Sequence, residues 1–267
     1  MKEKFMLTID GAVAVITGGS GGIGKELARY WLGQGGKVVL ADIGEEALLA
    51  AKADLGDAGV AICTMDVTKE EDCSRLADFA IQTWGQINLV APFAGIIRDG
   101  LMVAPDRETG KVTGKMALKD FQAVMDVNVT GVFLTVRECA ERMINEGCRG
   151  LVCLISSTGS LGTAGQLNYS SSKAAMSVMP KVITAEFFRR GLAGRIRCVA
   201  VAPGYVGTPM VANMNQKALT RIIDEIPVGR LIEPLEVASL VGELYRNEAI
   251  ACETYFITGG LRLGSKG

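Results

Sequence analysis

The chain has 267 residues, 49% hydrophobic and 21% charged, with 28 Lys and Arg against 29 Asp and Glu. That apolar fraction supports a sizeable core and excludes disorder, and a net charge of −1 offers no general attraction to nucleic acid or anionic lipid. Histidine is absent, which excludes Ser-His-Asp and Cys-His catalysis and histidine metal ligands, and leaves acid–base chemistry to Tyr, Lys, Asp, Glu or Cys.

An apolar, β-branched run at 12–17 predicts the first strand. It leads into Thr17-Gly18-Gly19-Ser20-Gly21-Gly22-Ile23-Gly24 and a helix over 23–34, with Ile23, Leu27, Tyr30 and Trp31 at helical spacing and Gly35-Gly36 as its stop. Strand, glycine loop and helix in that order let the backbone approach a pyrophosphate and offer it the positive end of a helix. The stretch Gly19 to Lys25 also meets the first seven positions of a P-loop. The eighth, where a hydroxyl holds Mg²⁺, is Glu26, which disfavours a nucleoside triphosphatase. The second strand, 37–42, ends on Asp42-Ile43. An acidic residue about 20 residues past the glycines accepts hydrogen bonds from the adenosine ribose and repels a 2′-phosphate. No Arg or Lys stands at 43 or within 18–24, so NAD is expected over NADP.

A helix over 45–55, a strand over 60–65 ending at Asp66-Val67 on the adenine side, a helix over 69–84 and a strand over 87–91 follow. The stretch 98–115 is polar and turn-rich. Beyond it the pattern gives a helix over 118–145, a strand over 150–155, a helix over 167–190 and a strand over 195–201. A long connection, 204–230, precedes a helix over 234–246 and a last strand over 254–257. Strand and helix in alternation predict a doubly wound α/β fold: one domain, 1–267, around a seven-stranded parallel sheet with helices on both faces. No repeat or linker divides it. The seven cysteines are odd in number and lack C-x-x-C spacing, so they read as buried free thiols rather than a disulfide or zinc framework. No apolar leader opens the chain and no apolar run reaches about 18 residues. A reducing cytoplasm is the expected location, with no membrane partner and no bound metal.

Tyr169 and Lys173 stand four residues apart and share a helix face. Ser156 lies 13 residues upstream of Tyr169 at a strand end, and Asn128 opens Asn128-Val129-Thr130-Gly131. With the glycine loop, these residues closely resemble the short-chain dehydrogenase/reductase family, whose marks are T-G-x-x-x-G-x-G, a catalytic Ser, Y-x-x-x-K and a helix Asn. The resemblance spans about residues 8 to 263. It implies hydride transfer between NAD and an alcohol or ketone, with Tyr169 as acid/base. Lys173 then lowers the Tyr169 pKa and holds the nicotinamide ribose, Ser156 binds the substrate oxygen, and Asn128 holds a proton-relaying water. Bringing a free Tyr from about 10 to about 7 needs roughly 4 kcal/mol of preferential anion stabilisation. Ser157 is the rival for the serine role; the 13-residue spacing and the S-x-x-G frame ending at Gly159 choose Ser156. The implied cofactor contacts are Thr17, Gly18, Ser20, Gly22, Ile23, Gly24, Asp42, Ile43, Asp66, Val67, Ala94, Gly95, Tyr169 and Lys173. Pro203, Gly204, Val206 and Thr208 join them, in a stretch similar to the family's P-G-x-x-x-T beside the nicotinamide.

Three stretches depart from the family pattern. Pro92-Phe93-Ala94-Gly95 replaces N-N-A-G, 99–115 carries an insertion expected at the active-site rim or a subunit contact, and Ala251-Cys252-Glu253 replaces I-T-G. Residues 95–102 and 226–230 look like bacterial 3-oxoacyl-carrier-protein reductases, which mostly use NADPH, whereas Asp42 favours NAD. An NAD-linked enzyme acting on a 3-hydroxyacyl thioester or a similar partly apolar alcohol reconciles the two. A cyclic, steroid or polyol alcohol is the alternative substrate, and a dinucleotide-binding regulator without turnover the alternative class. The connection 204–230 is expected to line the pocket with Met210, Val211, Met214, Ile222 and Ile223. The resemblance further implies a homotetramer, with contacts through 118–145 and 167–190.

Overall fold

In a computed structural model that describes residues 6–208, 211 and 216–261, the seven predicted strands pair into one sheet. They are β1 (Val13–Thr17), β2 (Lys37–Asp42), β3 (Val60–Thr64), β4 (Leu89–Pro92), β7 (Gly150–Ile155), β8 (Ile196–Pro203) and β9 (Thr254–Ile257), in spatial order β3-β2-β1-β4-β7-β8-β9. Every neighbouring pair is parallel, as near-continuous apolar strands buried on both faces require. The chain leaves β1 toward β2 and β3, then returns to place β4 on the other side of β1. The C-terminal ends of β1 and β4 therefore flank the switch point, where such sheets bind ligands.

Alternating strand residues feed two cores. Ala14 and Ile16 of β1 face α1 (Gly22–Gly33), α2 (Glu45–Leu55) and α8 (Pro234–Arg246), where Trp31 meets Tyr245 edge-on at 4.8 Å. Val15 faces α3 (Glu70–Trp84), α5 (Gly131–Asn145) and α6 (Leu167–Arg189). Six of the seven cysteines are buried and all seven are free. Two buried polar side chains tie elements together from within. Asn88 accepts from the Val13 N–H (2.8 Å) and donates to the Arg149 carbonyl (3.0 Å). Arg197, a charge inside an apolar strand, donates to the carbonyls of Leu244, Tyr245, Asn247 and Ile250 at 2.6–3.0 Å, capping the C-terminal end of α8.

Two segments differ in detail from the sequence expectation. Residues 118–145 form α4 (Leu118–Met125) and α5 joined by a π turn, Asp126–Thr130. The 98–115 stretch holds an antiparallel hairpin, β5 (Val103–Pro105) and β6 (Val112–Lys115), closed by Asp106, which accepts from the Thr109 N–H and hydroxyl. The described part of the 204–230 connection includes α7 (Gln216–Glu225); Met210 and Met214 lie outside the described residues. Among the described residues no helix is long and apolar enough to cross a membrane.

Candidate active site

The glycine loop has the shape of a phosphate cradle. Gly18 has φ +65°, and a Cβ there would lie 2.8 Å from the Ala94 nitrogen. A Cβ on Gly24 would lie 2.3 Å from the Gly18 carbonyl oxygen. Neither position admits a side chain, so the loop folds tightly and α1 packs close behind it. No side chain caps α1 and its first turn holds no acidic residue. The first-turn N–H groups, including those of Gly22, Ile23 and Gly24, thus point at the loop's mouth with no carboxylate competing. Lys25, the residue a P-loop would aim at phosphate, instead pairs with Asp54 at 2.9 Å. These features fit a dinucleotide pyrophosphate and not a nucleoside triphosphate.

Asp42 ends β2 beside the loop. Its Oδ2 accepts from the Ser20 hydroxyl (2.5 Å) and N–H (3.2 Å), and its Oδ1 from the Ile43 N–H (2.8 Å). Ile43 is 70% exposed, an apolar platform next to that carboxylate. Asp66 closes a turn by accepting from the Thr68 N–H and hydroxyl, and Val67 is buried against Gly131. Thr17, buried, accepts from the Ala94 N–H at 3.3 Å and so joins β1 to the segment after β4. At the far side, Pro203 ends β8 opposite Ile257, Gly204 leaves room for Thr258, Val206 is buried and bridged to Ile232, and the Thr208 N–H bonds the Val206 carbonyl.

The tyrosine, lysine and asparagine converge as the spacing demands. The Lys173 Nζ lies 5.6 Å from the Tyr169 ring centroid. A Cβ on Gly95 would lie 3.2 Å from Asn128 Oδ1 and 3.7 Å from Lys173 Nζ, so Gly95 fills the gap between them. Asn128 sits inside the π turn, fully buried. Its Oδ1 accepts from the Ile96 N–H (2.8 Å), and its Nδ2 donates to the Ile96 carbonyl (3.0 Å) and the Ser172 hydroxyl (3.1 Å). Ser172 passes its own proton to the Tyr169 carbonyl at 2.7 Å. Both amide hydrogens of Asn128 are therefore used in clamping the chain after β4 to α6, and only its carbonyl oxygen keeps a lone pair for water.

The two serines divide differently from the expectation. Ser156 still belongs to the sheet, its N–H on the Val201 carbonyl at 2.7 Å. Strand alternation turns its side chain toward α6. There the buried hydroxyl meets the Lys173 carbonyl (2.8 Å) and the Ser177 hydroxyl (3.0 Å). Ser157, one residue on, is free of the ladder. It caps the short 3₁₀ turn Thr158–Leu161 by accepting from the Gly159 N–H at 3.0 Å, and it borders Tyr169: a Cβ on Gly159 would lie 3.4 Å from the Ser157 Oγ and 3.2 Å from the Tyr169 ring. Spacing alone counts residues but does not fix which face they point to.

Burial raises the Tyr169 phenol above its ordinary value; the Ser157 hydrogen bond opposes this, and the Asp99 carboxylate adds to it. Burial also pulls the Lys173 ammonium down to about 8. Burial thus works against the charged form of both groups. Asn168, which the sequence reading did not single out, anchors this helix end: it is buried and donates to the Arg98 carbonyl at 2.8 Å. Together with the Gln166–Asp99 bond (3.0 Å) it seats the β5–β6 segment against α6. A cleft of 340 Å³ lies between them, lined by Met102, Thr163, Ala164, Gly165, Leu167 and Ser170. A wider groove of 670 Å³ lies between α3 and α5 and contains none of the site residues. Among the described residues no cluster of acidic or thiol groups is placed to hold a metal.

A family model described as short chain dehydrogenase matches residues 12–219. Three curated relatives are similar along nearly their whole lengths. The 3-oxoacyl-[acyl-carrier-protein] reductase FabG of Thermotoga maritima is 33% identical over 260 residues, covering 96% of this chain and 99% of the relative. The 3-hydroxyacyl-CoA dehydrogenase type-2 of Drosophila melanogaster is 34% identical over 264 residues, with the same coverage. The 2,5-dichloro-2,5-cyclohexadiene-1,4-diol dehydrogenase LinX of Sphingobium indicum is 28% identical over 251 residues, 93% of this chain and 92% of the relative.

Proposed function

Because the chain belongs to the short-chain dehydrogenase family of oxidoreductases, which work with a nicotinamide dinucleotide, we propose that it is an NAD-dependent dehydrogenase of 3-hydroxyacyl thioesters or similar partly apolar secondary alcohols. The observation that carries the reading is the placement of Tyr169 between Lys173, whose Nζ borders Gly95, and Ser157, which borders Gly159 with the Tyr169 ring, across the switch point from a glycine cradle that admits no side chain. Bound there, the dinucleotide supplies or accepts the hydride. The chain's own groups handle the proton and the substrate oxygen. Ser157 donates a hydrogen bond to that oxygen, a contact that strengthens as charge develops on it. Tyr169 gives its proton to the oxygen in reduction and withdraws it in oxidation. Lys173 holds the ribose hydroxyls and, as a cation one helical turn from the phenol, favours the phenolate. Asn128 holds the wall of the site and offers its carbonyl oxygen to a relay water.

Preference for NAD rests on Asp42, whose carboxylate is kept beside the loop by Ser20 and would repel a 2′-phosphate. The thioester reading is supported by relatives named for 3-oxoacyl and 3-hydroxyacyl substrates. Assembly as a homotetramer is part of the proposal. The helices expected at subunit contacts carry exposed apolar side chains: Leu118 on α4, Phe133 on α5, and Leu167, Val178, Val182 and Phe188 on α6. Purified protein mixed with NAD and a panel of 3-hydroxyacyl thioesters, cyclic diols and polyols tests the substrate, read as NADH formation. Turnover confined to cyclic diols or polyols would move the assignment there. NADH binding with no turnover on any of them would leave a dinucleotide-binding regulator. A monomeric mass by light scattering at micromolar concentration would refute the tetramer.

A further inference from the structure

The central strand β4 ends on a buried proline, Pro92, between β1 and β7. Proline is rare in mid-sheet because it has no N–H to give a neighbour. The ladder shows what this changes. On the β7 side, the Leu151 N–H takes the Asn88 carbonyl, and the pairing runs Leu89 with Leu151 and Val90 with Val152, then stops. In a parallel ladder the next rung would bring the N–H of residue 92 to the Cys153 carbonyl, and the one after it the N–H of residue 94 to the Ile155 carbonyl. Pro92 cannot supply the first. The second is missing too: the Ala94 N–H goes to Thr17 Oγ1 at 3.3 Å, and the Ile155 carbonyl accepts the Lys173 Nζ at 2.9 Å.

We propose that Pro92 is a positioning residue for Lys173: by ending the β4–β7 ladder it frees the Ile155 carbonyl to tether the ammonium. An ammonium has three N–H donors. One fixed on Ile155 leaves two for a ligand, the number a ribose diol needs. The tether matters because Lys173 is buried and, among the described residues, no carboxylate lies within salt-bridge distance of it. The groups facing it are the Tyr169 ring, Asn128 across Gly95 and this carbonyl, with Asp99 acting on Tyr169 from the rim. Burial already pulls the ammonium down to about 8, and a hydrogen bond from a charged donor works against that loss.

The inference deepens the proposed function and rests on Lys173 serving a nicotinamide dinucleotide. Its test is Pro92→Ala in the full-length protein, which restores the missing N–H. Three quantities are read: amide exchange of the 89–96 segment, the NADH dissociation constant by fluorescence, and the pH profile of alcohol oxidation. The expected result is new protection in that segment, NADH binding weakened by at least about threefold, and an ionisation displaced by about half a pH unit or more. The melting temperature should be unchanged or higher, because a ladder bond has been added. A folded variant with wild-type NADH affinity and an unmoved pH profile overturns the inference, as does a uniform loss of kcat with neither quantity changed. If Pro92→Ala does not fold, Thr17→Val gives the second reading. It removes the competing acceptor of the Ala94 N–H, turns that N–H toward Ile155, and should displace the ionisation in the same direction; no displacement overturns the inference. Wild-type protein that fails to bind NADH would instead count against the proposed function itself.

Discussion

Alanine at each of the two adjacent serines separates sheet chemistry from site chemistry. The Ser156 hydroxyl is buried and bridges the Lys173 carbonyl and Ser177. Its removal deletes these bonds, a cost of about 1–2 kcal/mol. In a protein of this size that lowers Tm by about 2–6 °C, and no atom that touches substrate moves. The Ser157 hydroxyl lies on the Tyr169 side of Gly159 and accepts from the Gly159 N–H. Losing that cap costs about 1 kcal/mol, and losing a donor aimed at a developing alkoxide costs about 10²–10³ in kcat, or about 2.7–4 kcal/mol of barrier. The assay is NAD-linked oxidation of a 3-hydroxyacyl thioester by both purified variants, with NADH affinity and Tm measured alongside. Ser157→Ala should lose about 10²-fold or more in kcat and still bind NADH. Ser156→Ala should keep kcat within about threefold, a barrier change of under 1 kcal/mol. A Ser156→Ala enzyme that is folded but inactive, beside an active Ser157→Ala, would refute the assignment and restore the one suggested by the 13-residue spacing.

Tyr169→Phe should retain fold and NADH binding yet lose about 10²-fold or more in kcat, measured by steady-state kinetics, because Phe keeps the ring but not the proton. Asp42→Ala should narrow an NAD preference of at least about tenfold, about 1.4 kcal/mol, read as the ratio of kcat/KM for NAD and NADP; equal use of both by the wild type would contradict the role given to Asp42. Lys173 has a folded-state value of about 8, below its ordinary 10.5, so between these values the unfolded chain holds the extra proton. The stability of the ligand-free protein should therefore rise with pH across that window, and the rise should be missing in Lys173→Met when Tm is followed by circular dichroism. Arg197→Met should cost about 3 kcal/mol or more in urea unfolding, since buried carbonyls at the end of α8 lose their donor.

The sheet was readable from its β-branched runs almost to the residue, because strands buried on both faces cannot hide a polar position. The cradle was readable because only glycine meets its contacts. Tyr169 and Lys173 were readable because a helix turns spacing into a shared face. The directions of the two serines were not readable: at a strand end, the residue that leaves the ladder is decided by the Ser156 N–H bond to Val201, which no spacing reveals. The β5–β6 hairpin was hidden by the brevity of its strands, three and four residues long, although Asp106 and Thr109-Gly110 mark its turn. Arg197 carries a signal of its own, since a charge within an apolar strand demands partners at its tip. The role of Pro92 depends on a ladder between distant segments, and the residue alone shows only that a donor is missing.

The π turn at Asp126–Thr130 makes this stretch sensitive to chain length in a way that it is not sensitive to side-chain identity. A helix with one π turn holds one residue more than an unbroken α-helix needs. Removing any single residue from 126–130 would let the helix close without strain, so the deletion would carry no local penalty to betray it. The flanking helices would keep nearly the same faces, because a π turn takes up its extra residue by widening and not by rotating α4 against α5. Val132, Val136, Cys139 and Met143 would still fix α5 in the core, and Val124 would still be buried on α4. What would be lost is the place of Asn128 in the widened turn, from which its side chain meets both the N–H and the carbonyl of Ile96. Substitutions along 126–130 that spare Asn128 are expected to be absorbed, whereas a one-residue gap there is expected to leave well-packed helices and take Asn128 off Ile96.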